Sequence, residues 1–347
     1  MENVMEKDLW KNGTPDSQLI LEIRNLSVDF TTKDGVERKV LENFNLRLHE
    51  GQRIAVVGES GSGKTVMASS ILRLLPDAHT SGEIFYQGEN LVDASDRRIR
   101  DIRGAKIGMT FQDPLSSLNP IMTIGDQVSE VLRIRGVSKK EALTKTVQLL
   151  EELGIEDAAG RIDSYPYEFS GGMRQRVLLA MSVIASPSIL IADEPTTALD
   201  VRVQAQVMTT INDYTSNKNL ATIFISHDLS VVAGFADYVV VMYAGRVVEE
   251  GPVDEIFYRP GHPYTKGLLD SIPSIDQSSE KRLNSIPGMT PEPGQRSTGC
   301  VFRDRCDRAQ ETCFSDIPEL LVIDQQHSVR CHFPLLAPPS AIDKGQS

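Results

Sequence analysis

The sequence is poor in aromatic residues and contains no long apolar run. Phe, Trp and Tyr make up 6% of the 347 residues, and Trp10 is the single tryptophan. No run approaches the roughly 20 apolar residues that a membrane-spanning helix needs, which argues against an integral membrane protein. The polar stretch of residues 1–18 has no signal-peptide core, so we expect a cytosolic chain with a disordered N-terminal tail.

Basic residues are outnumbered by acidic ones. Lys and Arg total 36 against 48 Asp and Glu, which gives a net charge of −12. This balance argues against a general nucleic-acid binder or an anionic-membrane binder, and we expect no nucleic-acid partner. The length suits one large domain with an appendage, or two domains of ordinary size.

A glycine-rich loop follows the apolar run of residues 54–57 and precedes a segment without helix breakers. It matches the phosphate-loop pattern GxxxxGK[ST] at every fixed position, and its residues are Gly58, Glu59, Ser60, Gly61, Ser62, Gly63, Lys64 and Thr65. The glycines let the backbone aim its N–H groups inward, where they cradle the phosphates of a nucleotide. Lys64 adds a point charge, Thr65 adds a hydroxyl ligand for Mg²⁺, and the following helix presents its positive end to the phosphates.

Two kinds of apolar pattern surround this loop. Leu19 to Phe30 and Val40 to Leu48 alternate apolar and polar residues, and the intervening Asp34-Gly35 turn predicts an antiparallel hairpin. Later runs are short and continuous, as in parallel strands covered on both faces; they are Ile107 to Thr110, Ile189 to Ala192, Thr222 to Ile225 and Val239 to Met242. The sequence therefore predicts an α/β fold with an antiparallel β subdomain.

Residues from Leu115 to Ala185 have a helical pattern. Ser138 and Glu141 form a capping box at the start of one helix, and Gly154 ends that helix. We expect this region, at about 115–185, to be a helical insertion in the sheet domain.

The composition changes after Gly251, where prolines are spaced through polar sequence. This pattern predicts a loop-rich C-terminal domain over residues 252–347, after a sheet domain over residues 19–251. All four cysteines lie there with the spacing Cx5Cx6Cx17C, at Cys300, Cys306, Cys313 and Cys331. Disulfides are not expected in a reducing cytosol, so the cysteines are either free thiols or ligands of a metal site. Four thiolates suit Zn²⁺ or an iron–sulfur cluster, and the spacing of the cysteines does not distinguish between these two.

The apolar run of residues 189–192 leads directly into Asp193 and Glu194. Asp193 is a candidate ligand of Mg²⁺. Glu194 is the candidate for polarising the attacking water, because adjacent side chains diverge and only one can face the metal. An acidic strand end without a catalytic role is the alternative, and the presence of the phosphate loop favours the catalytic interpretation.

Two further polar residues end predicted strands. Gln112 follows the strand of residues 107–111 and could reach Mg²⁺ or the attacking water. His227 follows Ser226, and its ring could hydrogen-bond the γ-phosphate. Each also has a purely structural interpretation, since a lone histidine or an exposed glutamine often has no catalytic role.

Ser170, Gly171 and Gly172 precede a helical pattern from Val177 to Ile184. Ser170 can cap this helix, while the two glycines leave its first N–H groups open to an anion. A capped helix with a glycine-rich turn is a sufficient explanation by itself. Two helix N-termini suited to phosphate nevertheless indicate two half-sites, which are completed when two such domains face each other.

The order of these elements resembles that of the ATP-binding-cassette (ABC) ATPases, over about residues 19–251. The elements that match the family's Walker A, Q-loop, signature, Walker B, D-loop and H-loop are Gly58 to Thr65, Gln112, Ser170-Gly171-Gly172, Asp193-Glu194, Ala198-Leu199-Asp200 and His227. The resemblance implies a P-loop NTPase fold that binds ATP and Mg²⁺ between the loop of one subunit and Ser170-Gly171-Gly172 of another.

The resemblance also assigns roles to single residues. Thr65, Gln112 and Asp193 are implied at the Mg²⁺ ion, and Asp200 at the nucleotide. Phe30 matches the aromatic residue that stacks on adenine, and a strand-core position for this ring is equally compatible with the sequence. Phe169 and Met173 depart from the common signature Leu-Ser-Gly-Gly-Gln.

The C-terminal part resembles the ATP-binding subunits of oligopeptide and dipeptide permeases, at residues 262–265 and from Cys300 to His332. The resemblance implies a peripheral ATPase on the cytoplasmic face of the inner membrane. Its implied partners are two membrane permease subunits and a second, related ATPase with which it forms a heterodimer; a homodimer is also feasible. An extracytoplasmic solute-binding protein is an indirect partner. A [4Fe–4S] cluster at the four cysteines is implied as well, with Zn²⁺ as the alternative.

Other functions stay open at this level. Related importers of this type serve nickel or glutathione. A soluble ABC-type ATPase without a transport role often carries two cassettes or a basic arm, whereas this chain has one cassette and a net charge of −12. A P-loop kinase is a further alternative, against which the Ser170-Gly171-Gly172 segment argues.

Overall fold

The computed structural model describes residues 18–32, 34–197, 199–272, 286–291, 298–324 and 326–336. The expected disordered tail, with Trp10, lies outside these residues apart from its last member, and so does Ala198. None of the helices in the described ranges has the length and apolar character required to cross a bilayer.

Strands occur from the beginning of the described chain to its end. In chain order they are β1 (Leu19–Thr31), β2 (Glu37–His49), β3 (Arg53–Val57), β4 (Ala78–Tyr86), β5 (Glu89–Asn90), β6 (Ile107–Thr110), β7 (Ile189–Asp193), β8 (Ala221–Ser226), β9 (Tyr238–Tyr243), β10 (Arg246–Pro252), β11 (Leu321–Asp324) and β12 (His327–Val329). The predicted hairpin and all the predicted apolar strands are confirmed, with bounds that lie within three residues of those expected.

Helices follow the phosphate loop and fill the predicted insertion. In chain order they are α1 (Lys64–Ile71), α2 (Asp96–Ile102), α3 (Pro114–Ser117), α4 (Ile124–Arg133), α5 (Lys139–Glu152), α6 (Ala158–Arg161), α7 (Gly171–Val183), α8 (Val201–Asn217), α9 (Val253–Tyr258), α10 (Pro263–Asp270) and α11 (Thr312–Ser315). Ser138 caps α5 by accepting a hydrogen bond from the N–H of Glu141 (3.3 Å), and Gly154 follows that helix with a φ of 76°. The expected helix start at Ser138 and helix end at Gly154 are thereby confirmed, although only the Ser138 half of the predicted capping box is formed.

Packing divides the chain into two compact units. The first consists of the described residues of Met1–Leu48, Ile54–Val92 and Ser226–Ser347. It contains a four-stranded sheet in the order β2-β1-β4-β5, in which β4 is antiparallel to both of its neighbours. It also contains strands in the order β11-β12-β10-β9-β3, of which only the β9 and β3 pair is parallel.

The second unit consists of His49–Arg53 and Asp93–Ile225. Its strands β8, β7 and β6 are neighbours and run parallel. Every residue of β7 and β8 is buried, which is why their sequences read as continuous apolar runs. The helices from α3 to α7 lie in this unit, where α4 contacts both α5 and α7.

The C-terminal segment contains more regular structure than its prolines predict. β12 pairs antiparallel with β10, and β11 pairs with β12. Ile323 and Val329 are buried in this extension of the sheet. The boundary expected at residue 251 stays a prediction, since the two units follow packing and not that boundary.

Candidate nucleotide site and cysteine pocket

The phosphate loop lies in the first unit between β3 and α1. Lys64 begins α1 and is buried, with 4% of its surface exposed. Its Nζ atom donates to the carbonyl oxygens of Gly58 (2.7 Å) and Glu59 (3.0 Å) and to Oγ of Ser62 (3.4 Å). The loop therefore wraps around a positive charge at the N-terminus of a helix, which is an arrangement suited to phosphate.

Two glycines of the loop are required by their surroundings. A Cβ atom on Gly58 would lie 2.1 Å from the carbonyl oxygen of Met242, so the backbones approach too closely for a side chain. Gly63 has a φ of 98°, in the left-handed region that favours glycine, and a Cβ atom there would lie 3.1 Å from the carbonyl oxygen of Val40. Ser60 and Gly61 are exposed at the tip of the loop, and Thr65 is exposed at the start of the helix.

Contacts from outside the loop hold Glu59. The N–H of Glu59 donates to Oη of Tyr264 (2.9 Å), and Nη1 of Arg305 donates to its carboxylate (2.7 Å). The hydroxyl of Thr290 donates to the same carboxylate oxygen. Sequence analysis missed Arg305 and Thr290 altogether and gave Tyr264 no role at the loop, because nothing in the local sequence connects them to a loop some 200 residues earlier.

In the second unit, the structure brings Gln112 and Glu194 together. Nε2 of Gln112 donates to Oε2 of Glu194 (2.9 Å), and Oγ1 of Thr197 donates to the same oxygen (2.9 Å). Glu194 has a φ of 45°, which is uncommon for a residue with a side chain and is characteristic of functional positions. Asp193, the last residue of β7, is 1% exposed, whereas the adjacent Glu194 is partly exposed.

Phe30 and His227 lie in the first unit. Phe30 is near the end of β1, opposite Ala78 of β4, and its side chain is partly exposed. Partial exposure favours a ring available for stacking over a strand-core ring. His227 directly follows β8 and is exposed.

Ser170 is the N-cap of α7, and its Oγ atom accepts a hydrogen bond from the N–H of Met173 (3.4 Å). Gly171 is exposed, but Gly172 is buried against α8, where a Cβ atom would lie 2.6 Å from Cγ1 of Val203. The second glycine is therefore required by helix packing. Phe169 is 2% exposed, so its departure from the common signature places an aromatic ring in the core.

Asp200 has a definite structural role in the second unit. It caps α8, because its Oδ1 atom accepts hydrogen bonds from the N–H groups of Arg202 (3.1 Å) and Val203 (3.0 Å). Two of the otherwise unpaired N–H groups at the helix start are satisfied in this way. A role at the nucleotide stays a prediction for this residue.

The four cysteines lie in the first unit and line one pocket. Cys300, Cys306, Cys313 and Cys331 share it with the rings of His262, Phe302 and His332. The N–H of Cys300 donates to the carbonyl oxygen of Cys313 (2.8 Å), which joins two of the cysteine segments. As the side chains stand, no three metal-ligating groups in the described ranges are close enough together to hold a metal ion.

Burial favours the protonated form of Cys300, Cys306 and Cys331. It raises the pKa of Cys331 to about 11 and raises the pKa values of Cys300 and Cys306 above their ordinary value. His262 is also buried, which lowers its pKa to about 4, and its Nδ1 atom accepts from the N–H of Tyr264 (3.0 Å). Thiolates in such surroundings need a bound cation to be stable.

The chain matches two protein families in succession. Residues 41–197 match the family described as ABC transporter, and residues 248–313 match the C-terminal region of the oligopeptide/dipeptide transporter family. The oligopeptide transport ATP-binding protein OppD of Bacillus subtilis is 44% identical over 332 residues, which cover 93% of this chain and 92% of the relative.

Solved structures show the same fold. The ATP-binding cassette MJ0796 in its dimeric, post-hydrolysis state with ADP and Pi matches with a TM-score of 0.61 and 26% identity, over 67% of this chain and 99% of that chain. The cbiO1 component of the cbiONQ ABC transporter from Clostridium perfringens matches with a TM-score of 0.60 and 27% identity, over 70% of this chain and 91% of that chain. The α/β fold and the family that the motifs predict are thereby confirmed: this chain belongs to the ABC transporter ATP-binding proteins, and within them to the oligopeptide/dipeptide transporter family.

Proposed function

We propose that this chain is the ATP-hydrolysing subunit of an ABC importer for oligopeptides or dipeptides. The observation that carries the proposal is the combination, in one chain, of the Lys64 phosphate loop with a C-terminal segment of the oligopeptide/dipeptide transporter type. Similarity to OppD over 93% of the chain supports the same conclusion, because it includes both parts. The corresponding domains are residues 19–251 and 252–347.

The candidate residues divide the binding and hydrolysis of ATP among them. The backbone N–H groups of residues 58–65 and the Lys64 ammonium bind the phosphates, and Phe30 stacks on the adenine. Glu194, oriented by Gln112, polarises the attacking water, and His227 hydrogen-bonds the γ-phosphate. Thr65, Gln112 and Asp193 hold Mg²⁺, a set of oxygen ligands that suits this ion. Bound there, Mg²⁺ would neutralise the charge that develops on the phosphate oxygens.

Two ATPase subunits close on each nucleotide. The phosphate loop of one subunit and the Ser170-Gly171-Gly172 helix start of the other bind opposite sides of ATP, with Asp200 at the interface. Gly171 is exposed at the capped start of α7, and as a glycine it has no side chain that could cover its N–H group. This exposure supports the arrangement. The second subunit is a related ATPase in a heterodimer, with a second copy of this chain as the alternative.

The importer needs membrane partners. We infer that two permease subunits form the channel, that this chain binds them at the cytoplasmic face of the inner membrane, and that an extracytoplasmic solute-binding protein delivers the cargo. Closure of the ATPase pair on ATP and its reopening after hydrolysis drive the permease through its cycle.

We also infer that the cysteines hold a [4Fe–4S] cluster, with Zn²⁺ as the alternative. The supporting observation is that Cys300, Cys306, Cys313 and Cys331 line a single pocket, which is a donor set typical of either group. Bound there, the cluster would cross-link the loops that carry the four cysteines. Broad absorption with iron and sulfide in the purified chain, lost in Cys306→Ser, supports the cluster; stoichiometric zinc without iron would identify the alternative.

The function is tested on the chain assembled with its permease subunits in liposomes. We expect ATP turnover to rise when a peptide-loaded binding protein is added, and we expect Lys64→Ala to abolish both turnover and its stimulation. Stimulation by nickel or glutathione in place of peptides would identify that solute as the cargo. Turnover that is independent of the membrane subunits would contradict an importer.

A further inference from the structure

Glu59 connects the phosphate loop to the C-terminal segment of the first unit. Its N–H is bound by Oη of Tyr264, and its carboxylate is bound by Arg305 and Thr290. The Arg305 partner lies 246 residues away in sequence. One residue of the nucleotide loop is thus held, at both its backbone and its side chain, by groups that do not belong to the loop.

The same residue helps to position the catalytic lysine. Nζ of Lys64 donates to the carbonyl oxygen of Glu59 (3.0 Å), and the N–H of Ser62 donates to that oxygen as well (3.2 Å). A movement of the Glu59 backbone therefore moves an acceptor that holds the ammonium group. Because Tyr264 and Arg305 restrain Glu59, they restrain Lys64 through it.

Arg305 is itself fixed by several contacts. Its side chain is 7% exposed, Nε donates to the carbonyl oxygen of Pro287 (2.8 Å), and Nη1 donates to Oη of Tyr243 (3.3 Å). The guanidinium carbon lies 5.7 Å from the centre of the Tyr243 ring. A buried arginine with this many occupied donors holds its partner in one geometry, unlike a solvated surface ion pair.

A group of packed aromatic rings joins these contacts to the cysteine pocket. The ring centres of Tyr243, Tyr264 and Phe302 lie 4.7 to 5.4 Å apart, in tilted or edge-on pairs. Phe302 lines the pocket, and Cys306 directly follows Arg305 in the chain. Because such close-packed interiors transmit displacements, a change at the cysteines has a continuous route to Glu59.

We propose that Tyr264 and Arg305 are positioning residues for the phosphate loop, and that through them the state of the cysteine pocket sets the affinity for ATP. The inference rests on the proposed function of this loop in binding ATP. Loss of these contacts lowers the affinity for ATP more than the turnover of bound ATP, because Glu194 and Gln112 orient the water independently of Glu59.

The first test is a double-mutant cycle between Glu59 and Arg305. Binding of a fluorescent ATP analogue with Mg²⁺ is measured for the full chain and for Arg305→Met, Glu59→Gln and the double variant. We expect each single substitution to raise Kd about tenfold, which is typical of coupled sites, and the double variant to raise it no further. Arg305→Lys keeps a positive charge beside Glu59 and is expected to recover part of the affinity, with kcat changing less than KM throughout.

Arg259→Met is the matched control. Arg259 belongs to the same unit and pairs with Glu255 and Asp324, so its loss removes a charge without touching the loop, and Kd should stay unchanged. An unchanged Kd in Arg305→Met, or fully additive effects in the double variant, would overturn the inference. Failure of the unsubstituted chain to bind ATP would instead contradict the proposed function.

The second test modifies the cysteine pocket directly. The four cysteines at Cys300, Cys306, Cys313 and Cys331 are the only thiols of the chain, so iodoacetamide, applied after metal removal with a chelator, alkylates no other cysteine. With Mg²⁺ restored, we expect alkylation to raise Kd in the unsubstituted chain and to have no further effect in a chain that carries both Tyr264→Phe and Arg305→Met. Equal losses of ATP affinity in both chains would indicate general unfolding. An unaltered Kd in the alkylated chain would show that the pocket does not act on the loop. Either result would refute the proposed link between the cysteine pocket and ATP affinity.

Discussion

Gln112 donates a hydrogen bond from Nε2 to Oε2 of Glu194 across 2.9 Å, at the end of β7. Thr197 donates to the same oxygen, and Glu194 has a left-handed backbone with a φ of 45°. Both donors use one carboxylate oxygen and so fix the orientation of the Glu194 side chain. A strained residue whose side chain is fixed by two neutral donors is typical of a catalytic base.

Glu194→Gln should therefore slow ATP hydrolysis while preserving ATP binding. We expect kcat to fall about 100-fold or more, because an amide cannot accept the proton of the attacking water, and Kd for ATP to stay within about twofold. Single-turnover hydrolysis and equilibrium binding measure the two quantities. Glu156→Gln, at an exposed position of the same unit, is the control and should behave like the unsubstituted chain. Normal turnover in Glu194→Gln would remove Glu194 from this role.

Gly172→Ala should destabilise the fold through a clash between α7 and α8. The added Cβ atom would lie 2.6 Å from Cγ1 of Val203, and overpacking of this kind costs about 1–3 kcal/mol. Urea denaturation measures the loss, and Val203→Ala in the same chain should restore most of it. Gly234→Ala, where the added atom meets nothing within 4 Å, should change stability little. A destabilisation that Val203→Ala fails to relieve would contradict the packing explanation.

Asp200→Ala should lower the free energy of unfolding by about 1 kcal/mol, because two N–H groups at the start of α8 lose their acceptor. Asp200→Ser keeps a capping oxygen and should be close to the unsubstituted chain in a urea titration. The serine variant also separates the two roles of this residue, since we expect it to retain stability and to lose ATP turnover. Full turnover in that variant would leave Asp200 with the capping role alone.

Glu250 should make stability depend on pH. It is buried in β10, which raises its pKa to about 8, and the charge of Arg330 only partly opposes this shift. The folded state therefore keeps a proton that the unfolded chain releases above about pH 4.5. The contribution of Glu250 to the free energy of unfolding is fully present below that pH and is lost as pH rises through 8. The pKa shift corresponds to a decrease in the free energy of unfolding of roughly 5 kcal/mol at most.

The measurement is the unfolding free energy of Glu250→Gln and of the unsubstituted chain between pH 4.5 and 8. Because glutamine stays neutral, the variant should become the more stable of the two as pH rises. Glu311→Gln, at an exposed position of the same unit, should leave the pH profile unchanged. Parallel profiles for Glu250→Gln and the unsubstituted chain would contradict a buried, protonated Glu250.

Local sequence predicted those parts of the fold whose residues respond to their immediate neighbours. The runs at residues 189–192 and 222–225 form strands as expected, because strands buried on both faces consist of continuous apolar residues. In contrast, β4 was not predicted, since its sequence is largely polar and its structure depends on pairing with β1. Propensity alone carries little information about such a strand.

The sequence by itself determined the phosphate loop, the acidic strand end, the capped helix at Ser170 and the family to which the chain belongs, because each depends on a few residues at fixed spacing. Only the tertiary structure decided that Gly172 packs on Val203, that Gln112 holds Glu194, and that Arg305 reaches Glu59 from 246 residues away. These contacts join residues far apart in the chain, and their geometry depends on how the intervening strands and helices pack, which no local pattern contains.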